Sequence, residues 1–392
     1  LASNDEQDEV YLHWSAYCSL YSGKTRSYLI KKGLAFTECN PGNARFFAEI
    51  FAQSGFFSIP ILECPGGAIV QDTTAIIEHL EAAHPGPQMQ PDDPVLRAVC
   101  WLIHNYGTEG LFKQAQHYRW NFPEENYAFV TDELARGMVP ADQRGTPVAK
   151  AIAESFAAKK IAALPDIGVT DKTIPAIEQS THKLFALLDA HFRLFPYILG
   201  GRPSVADCAL MTALHAHLGR DPYPLRLMKE TAPALHRWTE TMNRAGIVDP
   251  ELSDVAPEYF QGDGLPDTLL SFLKLICEDF GPELTATNDV YDNWLSNDPQ
   301  RPSGALVSLE SARALRQKIG AIEHKQQGIV VARDAWPDIL IMHQIMSDIV
   351  EAMTPQDKAQ FCDIMSRIGG NPIATMQLKR RLRRSGPSIV LA

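Results

Sequence analysis

The chain has 392 residues, 45% hydrophobic and 21% charged, with a formal net charge of −11. That length exceeds what a single core usually reaches, and the hydrophobic share excludes a chain disordered throughout. The acidic excess argues against a nucleic-acid partner, which needs a positive footprint.

The sequence opens on Leu1 rather than Met, and residues 1–9 are acidic and read as disordered. A cleaved targeting peptide would account for such a start, so the expected compartment is the cytoplasm or, with such a peptide, the mitochondrial matrix. Val10–Trp14 is rich in β-branched and aromatic residues and predicts a strand; after a short loop, Ser22–Lys32 predicts a helix. The segments SIPIL and ECPGGAIVQD predict two strands joined by a Pro-Gly-Gly turn. Asp72–Ala83 then places Ile76, Ile77 and Leu80 at helical spacing, and His84-Pro85-Gly86 stops that helix.

Pro85–Asp93 is a proline-rich polar linker, and beyond it helical periodicity prevails with no convincing strand until Ile329. Ser204-Val-Ala-Asp207 sets a hydroxyl three residues before a carboxylate, a variant capping box that starts a helix. Past Val248 the composition turns to Pro, Gly and acids, and a third helical region follows to about Arg384. The reading is an α/β unit at 10–84, an all-helical unit at 94–248 and a mostly helical extension at 249–392. Within the extension, Ile341, Ile345, Ile349 and Met353 recur every four residues and read first as core packing. The basic run Leu378–Arg384 reads as a solvated helix face or a partner for carboxylates.

Three features bear on chemistry. The seven cysteines, at 18, 39, 64, 100, 208, 277 and 362, form no C-x-x-C pair, and no metal site is expected. The Gly23-Lys24-Thr25 run follows a strand and opens a helix as a phosphate loop does, but Cys18 stands where that loop needs its first glycine. No apolar run nears the about 20 residues of a membrane span.

The segment Ser19-Leu20-Tyr21-Ser22 leading to Arg26, the run Ser58-Ile59-Pro60-Ile61-Leu62, and Asp72-Thr73-Thr74-Ala75-Ile76 resemble, in that order, the three N-terminal motifs of the glutathione transferase superfamily. GGRPSVAD resembles the capping segment of its helical half. The resemblance implies a thioredoxin-like N-terminal domain followed by an all-α domain. It implies Ser19 as the catalytic hydroxyl, Ser22, a cis Ile59–Pro60 bond, Asp72 and Thr73 as glutathione-binding residues, and a hydrophobic electrophile as second substrate. The alternative role for Ser19 is a plain helix cap.

His117-Tyr118-Arg119-Trp120 is a candidate pocket for that electrophile: Tyr118 to donate, Arg119 to hold an anion, Trp120 to stack. The same four residues could instead cover a domain boundary. Departures from the family pattern are Leu20 where proline is usual and Ser58 where lysine is frequent. Two functions stay open: a glutathione-using enzyme, commonly a homodimer, and a catalytically silent accessory subunit of a hetero-oligomeric complex.

Overall fold

The computed structural model describes residues 10–262, 264–310 and 316–392; residues 1–9, read as disordered, lie outside them. The first unit is a four-stranded sheet in the order β2-β1-β3-β4, with β1 Tyr11–Trp14, β2 Phe36–Cys39, β3 Ile61–Glu63 and β4 Ile69–Gln71. Strand β1 runs parallel to β2 and antiparallel to β3, with Trp14 opposite both Cys39 and Ile61. The parallel pair requires a crossover, and helix α1 (Leu20–Lys32) supplies it.

Strand β4 turns into helix α2 (Thr73–Ala83). Asp72 caps it, its Oδ1 accepting from the backbone N–H groups of Thr74 at 2.9 Å and Ala75 at 3.1 Å. These two helix starts, Ser19 for α1 and Asp72 for α2, frame one end of the sheet.

The second unit is helical. Its helices include α3 (Pro94–Asn105), α4 (Phe112–Trp120), α5 (Pro123–Met138), α6 (Pro147–Ala162), α7 (Ile174–Phe192) and α8 (Val205–Leu214). The capping box forms at the start of α8: Asp207 Oδ2 accepts from the Ser204 N–H at 2.9 Å and its hydroxyl at 2.8 Å. Asp207 also accepts from the Ile198 N–H at 2.8 Å, so one buried carboxylate ties the helix to the loop before it. The Pro- and acid-rich stretch after Val248 is stitched to that loop, the Gly201 N–H donating to the Glu258 carbonyl at 2.8 Å. A Cβ on Gly201 would lie 1.7 Å from the Ala256 carbonyl oxygen, so only glycine permits this approach.

The extension departs from the expected run of helices. Helices Asp267–Asp279, Gly281–Ser296, Asp338–Glu351 and Pro355–Arg367 are joined by two β-hairpins, Gly320–Gln326 with Ile329–Ala335, and Leu382–Ser385 with Ser388–Leu391. The basic run expected to be helical therefore ends in a strand. The periodic stretch forms the helix Asp338–Glu351. Of the residues recurring every four, Ile341 and Met353 are buried but Ile345 and Ile349 only half-buried; the covered face is the adjoining one, with Met342, Met346 and Val350. The helix lies along α3, where Asn105 donates from Nδ2 to the Ile339 carbonyl at 2.9 Å. One apolar cluster runs from Tyr28 and Ile76 through Leu102 and Leu210 to Met342 and Leu391, so the extension shares the core of the first two units.

Candidate active site

Where the sheet, the helical unit and the extension meet lies a cavity of about 340 Å³. Its floor is the start of α1, with Ser19, Leu20 and Tyr21, facing Ile59 and Pro60. Ser19 occupies the cap position in extended backbone, yet its hydroxyl makes no capping bond. The Ile59–Pro60 peptide is cis. All three motifs of the first unit therefore reach one cavity, the third through Asp72 and Thr73. Ser22, one turn further on, is fully buried, does not line the cavity, and has no hydrogen-bond partner among the described residues.

Asp72 has φ +85°, a conformation that costs a non-glycine residue on the order of 1–3 kcal/mol. The fold holds it there because Oδ1 caps α2, which leaves Oδ2 facing the cavity. That oxygen lies 3.2 Å from Nη1 of Arg384, on the C-terminal hairpin. Behind it Lys24, the lysine of the phosphate-loop-like run, is fully buried with Nζ on the hydroxyls of Thr73, Thr74 and Thr108. Burial draws its pKa down to about 8, with Asp72 opposing and Arg384 assisting.

The opposite wall is apolar, formed by Phe112, Trp120, Leu134, Met138 and Phe156. Of the four residues read as an electrophile pocket, Trp120 and Arg119 border the cavity. The Trp120 indole N–H donates to Gln116 at 3.0 Å. Arg119 is committed elsewhere: Nε and Nη2 grip Asp221 at 2.7 and 2.8 Å, Nη1 donates to the Cys18 carbonyl, and Nη2 donates also to that of Ala216. His117 and Tyr118 turn away, His117 to Glu178 and Asn121, and Tyr118 into a stack with Phe122. Helical geometry explains the split, since four consecutive residues sweep a full turn and cannot share one face. Cys18 also borders the cavity, and burial raises its thiol pKa, opposite to an activated cysteine.

Residues not singled out from sequence complete the site. Arg316 packs over Phe112 and Trp336 and bonds Glu109 at 2.8 Å and the Tyr21 hydroxyl. Tyr21 in turn donates to Glu109 at 2.8 Å. Burial raises the pKa of Glu109 despite Arg316. Arg316, Asp338, Met342 and Arg384 all come from the extension, which thus roofs the cavity.

Residues 14–88 match the family model for the N-terminal domain of glutathione S-transferases, and residues 171–241 match that for the C-terminal domain. Among solved structures, a glutathione S-transferase from Rhodospirillum rubrum is 14% identical, over 66% of this chain and 98% of that one, with a TM-score of 0.39. A second, from Methylobacterium radiotolerans, was solved in complex with glutathione sulfonate. It is 19% identical over 66% and 98% of the two chains, with a TM-score of 0.33. A beta-etherase from Sphingobium is 16% identical over 62% and 98%, with a TM-score of 0.38.

Proposed function

The chain carries both domains of the glutathione transferase superfamily, and on that premise we propose that it turns the glutathione thiol against a hydrophobic electrophile. The observation that carries this reading is the Ser19 hydroxyl. It stands at the start of a 13-residue helix, makes no capping bond, and faces a cavity whose far wall is apolar.

With the cysteinyl backbone of glutathione laid along Ile59, Ser19 donates its O–H to the sulfur. The positive helix end adds to that stabilisation of S⁻. The thiol proton leaves to solvent, the sulfur pair forms a bond to the electrophilic carbon, and the leaving group departs with the electrons of the bond that breaks. Phe112, Trp120 and Phe156 hold the apolar body of the electrophile by burial and stacking.

Calorimetry should detect glutathione binding at millimolar concentration. Ser19→Ala should lower conjugation of an aromatic halide by roughly 10²-fold, the effect of removing one donor to a developing anion. An unchanged rate would remove Ser19 from the mechanism.

A second reading, a silent accessory subunit, draws on the extension that roofs the cavity. Native material that co-purifies with heterologous subunits and turns over no electrophile would favour it.

A further inference from the structure

The apolar wall of the cavity ends on a charge. Helix α6 leans on α5 through Ala149, Ala153 and Ala157, which are buried at four-residue spacing. Phe156 and Lys160, on the adjoining row of the same helix, border the cavity. They too are four residues apart and so share a face, with the Lys160 ammonium 5.2 Å from the centre of the Phe156 ring. A ring face attracts a cation but leaves its charge in place.

The charge balance around the cavity singles out Lys160. Arg119 is forked on Asp221, Arg316 bonds Glu109, and Arg384 pairs with Asp72. Asp338 also borders the cavity and pulls on both Arg316 and Arg384. Even the buried Lys24 feels Asp72 and Glu109. Lys160 is half-buried, and burial and the neighbouring Arg316 both lower its pKa. Among the described residues no carboxylate pairs with it or pulls against them. An ammonium held beside Phe112, Trp120 and Phe156, facing a second cation and with no acid of its own, carries a cost that an anionic ligand removes.

We propose that the cavity selects an aromatic acid, its ring against Phe112, Trp120 and Phe156 and its carboxylate held by Lys160. That this acid is also the electrophile rests on the function proposed above; the preference for an anion rests on the charge balance alone. Lys160 is then a specificity-determining residue, and its flexible four-carbon stem lets the ammonium follow the acid.

Two unreactive probes test this without glutathione. Naphthoate and naphthamide share one ring system and nearly one size, and differ in charge. Calorimetry on the full chain should show naphthoate binding roughly 10-fold more tightly, the low end for a bond between charged groups because the site is partly open to water. Lys160→Met should bring that ratio to about one, and Lys160→Arg should keep it. Lys159→Met removes the same charge from an exposed neighbour that does not line the cavity, and should leave the wild-type ratio. A wild-type ratio near one, or a ratio that survives Lys160→Met, overturns the proposal. An equal fall for Lys159→Met overturns it too, since a diffuse positive field would then suffice. With a chlorodinitrobenzoate and its methyl ester as electrophiles, Lys160→Met should lower kcat/KM for the acid roughly 10-fold relative to the ester. If naphthoate binds in a Lys160-dependent way but neither electrophile is conjugated, the transferase reading falls and the anion site stands. If both are conjugated and Lys160→Met changes nothing, the transferase reading stands and the anion site falls.

Discussion

Arg119 on the wall helix and Arg384 on the C-terminal hairpin border the same cavity, and they differ in how far the protein itself has satisfied them. Arg119 makes four hydrogen bonds, two of them a fork on Asp221, with both side chains almost wholly buried. Among the described residues Arg384 has one ion-pair contact, to Asp72, and both partners keep about a fifth of their side-chain surface exposed. A saturated guanidinium fixes structure, whereas an unsaturated one in a cavity is available to a ligand.

The sharpest way to break the comparison is to delete each arginine and measure stability by urea unfolding. Arg119→Ala strands the buried Asp221 and two carbonyls, and loss of one partner of a buried pair costs about 3–5 kcal/mol. Burial already raises the Asp221 pKa against the pull of Arg119, so the orphaned carboxylate would take up a proton. Arg384→Ala should cost about 1 kcal/mol or less, as expected of a partly exposed pair. Equal losses would mean that Arg384 too is structural.

The junction between the helical unit and the extension sharpens the same contrast. Glu283 lies fully buried between Lys113 and Arg333, with His324 3.6 Å away. Burial works against its ionisation, but Arg333 and Lys113 together win and hold its pKa down to about 2. For Lys113 the balance goes the other way, burial outweighing Glu283 and lowering its pKa. Because the folded-state pKa of Glu283 is depressed, its stabilisation is complete above the ordinary carboxylate range and is lost as pH falls from about 4.5 toward 2. Urea midpoints measured between pH 6 and 3 should fall more steeply for the wild type than for Glu283→Gln, which is less stable at neutral pH. Parallel curves would remove Glu283 from the acid response.

Much of this architecture could be read from the sequence because its signals are local. The helix start at Asp72, the Ser204–Asp207 box and the Pro65-Gly66-Gly67 turn each lie within a few residues, and the corresponding elements form where expected. The hairpin strand Gly320–Gln326 escaped because its buried face carries Ile322, His324 and Gln326. Two of these are polar, which hides the alternation that marks a strand. Strand Phe36–Cys39 is short and only half-buried, with equally little pattern. The site was legible on its first-unit side, where motif order carries information. Arg384 and Arg316 could not be placed, because their meaning depends on contacts across 312 residues to Asp72 and 207 residues to Glu109. Lys24 was visible in its run, but its burial behind three threonines was not.

Within the basic run itself, position rather than charge should decide the effect, and Arg381 provides the smallest and most exacting comparison. It lies three residues before Arg384, just ahead of the strand Leu382–Ser385, and forms a two-pronged contact with Asp348 at 2.6 Å for each prong. The geometry is better than that of the Arg384 pair, yet Arg381 is 58% and Asp348 42% exposed. Water and salt screen such a pair, and ordering two long side chains offsets part of the gain. Arg381→Ala should therefore change stability by less than about 1 kcal/mol, shrinking further at high salt. If instead it cost as much as Arg119→Ala, two-pronged geometry and not burial would decide what a guanidinium contributes to this fold.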